Sequence, residues 1–167
     1  MKQVFMWLLI GFVPMAFAAA TNSDESFYRS AGEGGLAEVA ISKLAEDKAS
    51  NSTLKDFAGM MVKDHSTADQ RLWALAASRD VKMPTTPTVE QAAARDRLKL
   101  LSGASFDKAY IKSQIDAHRD TVALLKKEIA SGRDSQAQQF AQSLLPTVQA
   151  HLEKIVKIAT DAGVPAE

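Results

Sequence analysis

The chain has 167 residues, with 20 Lys and Arg against 20 Asp and Glu, and no cysteine. Both signs of charge are interspersed, which excludes the basic footprint of a nucleic-acid-binding protein and a polybasic membrane patch. The missing cysteine excludes a disulfide framework, a thiol nucleophile and a lipid attached near the N-terminus.

In chain order, the first 20 residues read as a signal peptide. Met1-Lys2-Gln3 is a short basic start, Val4 to Val13 an apolar run, and Pro14 breaks it. Ala16-Phe17-Ala18 and Ala18-Ala19-Ala20 both fit a small-x-small cleavage site. The alternative is an uncleaved anchor, but the run is shorter than the ~20 residues a membrane span needs, and proline interrupts it. The expectation is export to the bacterial periplasm or beyond, with no stable membrane span after cleavage behind Ala18 or Ala20. Cleavage removes only Lys2, so 19 positive charges face 20 negative ones and the net charge falls to −1. Residues 21–167 then form a single domain, long enough for one apolar core.

The rest of the chain reads as four long helices and one short one, with no stretch of period-two alternation for a strand. The first long helix is expected over residues 24–49, with Phe27, Ala31, Glu38, Ile41 and Ala45 on one stripe. The second is expected over 53–79, with Leu54, Ala58, Met61, His65, Ala68 and Leu72. Thr86 is a candidate cap for a short helix that has Pro87 in its first turn and ends near Leu101. The third long helix begins with Ser105 as a plausible cap and ends at Gly132, a candidate left-handed C-terminal residue. Asp134 caps the fourth, which runs to Asp161 before Gly163-Val164-Pro165.

The link between the second and third long helices spans residues 80–104. A helix of ~26 residues is ~39 Å long, and this link is long enough to travel back along it. A plain up-down bundle would need only about two to eight residues there. The fold class is therefore all-α: a ferritin-like four-helix bundle with a short extra helix in the long crossover between helices two and three.

Chemistry concentrates on the apolar stripes. The chain has three histidines, His65, His118 and His151, each on the stripe of a different helix, which random placement would give on the order of one time in ten. Glu38 interrupts the stripe of the remaining helix. Counted from the turns, the four residues lie at levels that agree within about four residues, or roughly 6 Å of rise. A Glu and three His facing inward suit one divalent transition metal, with Asp69, Tyr110, Gln114 and Thr147 as candidate outer partners that fix the imidazoles. Two other readings stand beside it. The same residues suit a structural or interaction module whose buried polar network only fixes helix packing, or a pH-responsive bundle whose neutral histidines must charge in acid. No glycine-rich phosphate loop, nucleophile elbow or His-Glu-x-x-His is present, and no catalytic residue is singled out. A protein partner or homo-oligomer is left open.

Four phrases carry a resemblance. They are Ala31-Gly-Glu-Gly-Gly-Leu-Ala-Glu38-Val39, Phe57-Ala-Gly-Met-Met-Val-Lys-Asp64-His65, Leu101-Ser-Gly-Ala-Ser-Phe106-Asp107-Lys-Ala-Tyr110 followed by His118, and Leu145-Pro146-Thr-Val-Gln-Ala-His151-Leu152. Together the chain resembles the bacterial domain of unknown function 4142 family, over about residues 25–161. The resemblance implies a ferritin-like bundle and a place in the cell envelope, and it supplies no activity. Di-iron ferritins carry Glu-x-x-His on two helices. Here Val62, Ile115 and Val148 stand three residues before the histidines, so a carboxylate-bridged di-iron centre is not expected. A mononuclear histidine site, in envelope stress or metal handling, stays open beside the structural reading.

Overall fold

The computed structural model describes residues 22–166. The expected signal peptide, residues 1–20, lies outside them. Five α-helices follow in order: α1 (Asn22–Lys48), α2 (Ser52–Ala77), α3 (Val89–Lys99), α4 (Gly103–Ser131) and α5 (Ser135–Asp161). Among the described residues there is no strand, and none of their helices is long and apolar enough to cross a membrane.

The long helices form a ring in which α1 packs on α2 and α4, and α5 packs on the same two. The direction of each helix follows from contacts at the two ends. Ser50, in the α1–α2 turn, donates its backbone N–H to Asp107 Oδ1 at 3.0 Å in the first turns of α4. At the opposite end, Asp24 Oδ1 near the start of α1 accepts the backbone N–H of Arg133 at 2.8 Å and of Asp134 at 3.1 Å in the α4–α5 turn. Arg79, just past α2, meets Asp134 at the same end, 2.7 Å away. Thus α2 ends at the bottom and α4 begins at the top. The crossover carries the chain back up, with α3 lying across α1 and α4. This is the ferritin-like bundle.

Local chemistry sets the helix ends. Asn51 caps α2 through a 2.8 Å bond from the Thr53 N–H, and Asp134 caps α5 through a 3.0 Å bond from the Gln136 N–H. The short helix starts later than Thr86 suggests. Thr88 caps α3, and Gln91 closes a reciprocal capping box with it, so two backbone donors are satisfied there. The N-cap of α4 is Ser102, ahead of the expected Ser105. Gly132 is not left-handed, with φ −61° and ψ 154°. Its missing side chain serves Glu128 instead, whose Oε1 lies 2.2 Å from where a Cβ would sit. At Gly32 a Cβ would lie 2.7 Å from Met83 Cε, so the crossover presses on α1 there.

The apolar core comes in two halves. The upper half holds Ile41, Ala45, Leu54, Phe57, Met61, Phe106, Ile111, Ile115, Ile155 and Ile158. The lower half holds Phe27, Leu72, Leu125, Phe140, Ala141 and Val148. Along every long helix the change from one half to the other falls near one buried polar residue: Glu38, His65, His118 or His151. Removing apolar area from water is worth about 25 cal/mol per Å², so each half supplies cohesion. The layer between them is where the chain forgoes it.

Candidate functional site

The three histidines converge. One ring nitrogen from each lies within 4.8 Å of those of the other two, and the ring centroids are 5.9, 5.7 and 5.7 Å apart. All three residues are buried. Among the described residues, three buried imidazole nitrogens have no hydrogen-bond partner: His65 Nε2, His118 Nε2 and His151 Nδ1.

The opposite nitrogens of two rings are held. His118 Nδ1 lies 2.8 Å from the backbone oxygen of Gln114, one turn earlier on α4. A carbonyl only accepts, so Nδ1 carries the proton and the Nε2 lone pair is free. His151 Nε2 lies 3.1 Å from Asp64 Oδ2, which crosses from α2 to α5. The carboxylate accepts the Nε2–H bond in the same way, so Nε2 carries the proton and the buried Nδ1 keeps a free lone pair. Carbonyl and carboxylate partners of this kind orient imidazoles that ligate metals.

Electrostatics favour the neutral rings. Burial, reinforced by the other two histidines, lowers the pKa of His65 from 6.5 to about 3. Burial lowers that of His118 to about 4, against the opposing pull of its bond to Gln114. Burial also lowers His151, with Asp64 pulling the other way. At neutral pH the layer therefore presents uncharged imidazoles, the form that binds metal.

Glu38 stands beside this trio, outside the convergent group. Its Oε2 accepts a 2.8 Å bond from Gln114 Nε2, and burial raises its pKa from 4.5 to about 7. Glu38, His65 and Asp69 line one small cavity of about 40 Å³, walled by Gly34, Gly35 and apolar side chains from all four long helices. Asp69 is half-buried, and burial raises its pKa from 3.8 to about 7. Its carboxylate fits against α1 because position 35 is glycine: Oδ1 lies 1.9 Å from the place a Cβ would take.

The other candidate partners divide. Gln114 holds both His118 and Glu38. Tyr110 is buried and its hydroxyl meets Ser42 Oγ at 3.2 Å, away from the imidazoles. Thr147 is half-buried and makes no side-chain hydrogen bond among the described residues. Asp64 escaped the stripe reading because it lies one residue off the apolar face. The adjacency of Asp64 to His65 was the one available signal.

The geometry invites comparison with known proteins. A domain-of-unknown-function model, DUF4142, matches residues 13–158. No curated protein matches the chain. Among solved structures, a presumed secreted DUF305 protein from Streptomyces coelicolor superposes with a TM-score of 0.75 at 12% identity, covering 87% of this chain and 95% of its own. At that identity the likeness speaks for the helical fold alone. With the family model spanning nearly every helix and the whole polar layer, the chain belongs to the DUF4142 family.

Proposed function

We propose that the protein is an exported bundle that binds one divalent transition metal through His65, His118 and His151, with Glu38 as the carboxyl of the adjoining cavity. The observation that carries this reading is the convergence of three buried imidazoles, each with one ring nitrogen that has no hydrogen-bond partner. Points within 4.8 Å of one another share a centre at most about 2.8 Å away, against the ~2.1 Å of a metal–imidazole bond. Ring rotation of under an ångström closes the gap. Neutral imidazoles suit zinc, copper, cobalt or nickel better than calcium or magnesium. Three protein ligands leave a fourth position open.

A layer that only set helix register would pair its polar atoms, since buried polar groups are nearly always hydrogen-bonded. Here each of the three convergent imidazoles keeps one ring nitrogen without a partner among the described residues, which favours a ligand over a structural network. Export, the expectation from the N-terminal residues, supports an envelope role in metal handling or stress protection.

The test is metal loading of the purified protein with zinc, copper and cobalt, followed by elemental analysis and thermal melting. One equivalent of metal is expected. A metal at a hundred times its Kd adds about 2.7 kcal/mol, or roughly 5–10 °C in Tm for a domain of this size. Sub-stoichiometric metal and an unmoved Tm would overturn the reading.

A further inference from the structure

Asp69 belongs to two spaces at once. On its inner side it lines the cavity that holds Glu38 and His65. On its outer side it lines an open groove formed by Leu36, Gln70 and Trp73 with Pro84 and Thr85 of the crossover. Among the described residues its carboxylate makes no hydrogen bond and no ion pair. The two other acidic groups near the histidines are engaged, Asp64 by His151 Nε2 and Glu38 by Gln114 Nε2. A half-buried carboxylate without a partner is costly to keep, and this one lies between the groove and a cavity that reaches a buried imidazole, 8% exposed, whose Nε2 is also unpartnered.

We propose that Asp69 is the port through which a divalent cation reaches the three histidines, a proposal that rests on the metal reading above. The cavity behind it, about 40 Å³, has room for roughly three waters at ~10–15 Å³ each. A fully hydrated ion does not fit, so it must shed water at the mouth. A carboxylate replaces departing water oxygens with an anionic one, and negative charge at a narrow mouth concentrates cations there. Glu38 lies further in, on the same cavity. Gly35 keeps the port in place, because any side chain there would occupy the position of the Asp69 carboxylate. The narrowness of the cavity also sets the ligand class: a small metal cation and not an organic molecule.

Stopped-flow loading of the metal-free protein with cobalt(II), read by visible absorption, tests the port. Asp69→Asn removes the charge, and Gly35→Ala keeps it but displaces it. Both variants are expected to load about tenfold more slowly, and to release cobalt into excess chelator more slowly by the same factor, with Kd unchanged within about threefold. Parallel slowing of both directions marks a raised barrier between unchanged end states, which a merely structural role would not produce. Loading at the wild-type rate in Asp69→Asn overturns the port while leaving the metal centre standing. A weakened Kd with unchanged loading rate also overturns it. Wild-type protein that takes up no cobalt overturns the metal centre, and the port with it.

Discussion

His151 and Asp64, 87 positions apart in sequence, meet at 3.1 Å between Nε2 and Oδ2. This one contact ties α2 to α5 and occupies His151 Nε2, which leaves Nδ1 as the ring's unpartnered nitrogen. Without it either nitrogen of the ring would be free to face the core.

Replacing Asp64 therefore tests the orientation directly. Asp64→Asn is expected to weaken metal affinity about 10- to 100-fold, as loss of an imidazole's outer partner does in other metal sites. Competition against a chromophoric chelator measures it, with helix content unchanged by circular dichroism. Wild-type affinity in this variant would show that the carboxylate does not orient the ring.

The pH dependence of the metal-free protein has two opposing parts. His65 and His118 titrate at about 3 and about 4 in the fold, below the ~6.5 of an unfolded histidine. The native state then binds fewer protons, so their contribution is full above ~6.5 and is lost as pH falls toward those values. Glu38, Asp69 and Glu128 titrate near about 7 in the fold, above the ~4 of an unfolded carboxyl. Their contribution is full below ~4 and is lost as pH rises to 7. The two sets offset each other between about pH 4 and 6.5, and below that only the histidines act, so Tm is expected to fall steeply in stronger acid. Glu38→Gln removes one carboxyl titration. Relative to wild type it should gain ~2–3 kcal/mol between pH 5 and 8, by urea unfolding at each. An identical difference at both pH values would contradict the assignment.

The lower end of the bundle supplies a control far from the layer. Arg79 and Asp134 pair at 2.7 and 3.0 Å, with side chains only 5% and 3% exposed. Tyr28 donates to the same carboxylate at 2.8 Å. Arg79→Ala strands a buried carboxylate and is expected to cost about 3–5 kcal/mol. Metal stoichiometry should stay unchanged at temperatures where the variant remains folded. Elemental analysis showing lost metal in this variant would mean that the two ends of the bundle are coupled.

Much of this was legible in the chain. Periodicity placed the four long helices, and the length of the 80–104 segment selected the ferritin-like connection. Counting residues from the turns put Glu38 and the histidines at one height, where the two apolar halves divide. Helix ends were less legible. Thr88 with Gln91 outcompeted Thr86, because a reciprocal cap satisfies two donors where a single cap satisfies one. Gly132 follows a helix in the position where a left-handed residue is common, yet it serves as space for Glu128.

The sequence by itself determined which residue types would enter the core and at what level, because helical rise and pitch are properties of the local chain. Only the tertiary structure decided which nitrogen of each imidazole lacks a partner, that Glu38 is bound by Gln114, and that Asp69 sits against Gly35 between groove and cavity. Those outcomes depend on how each helix rotates about its axis and which neighbour it meets. Rotation is set by packing between segments far apart in the chain, and no local pattern records it.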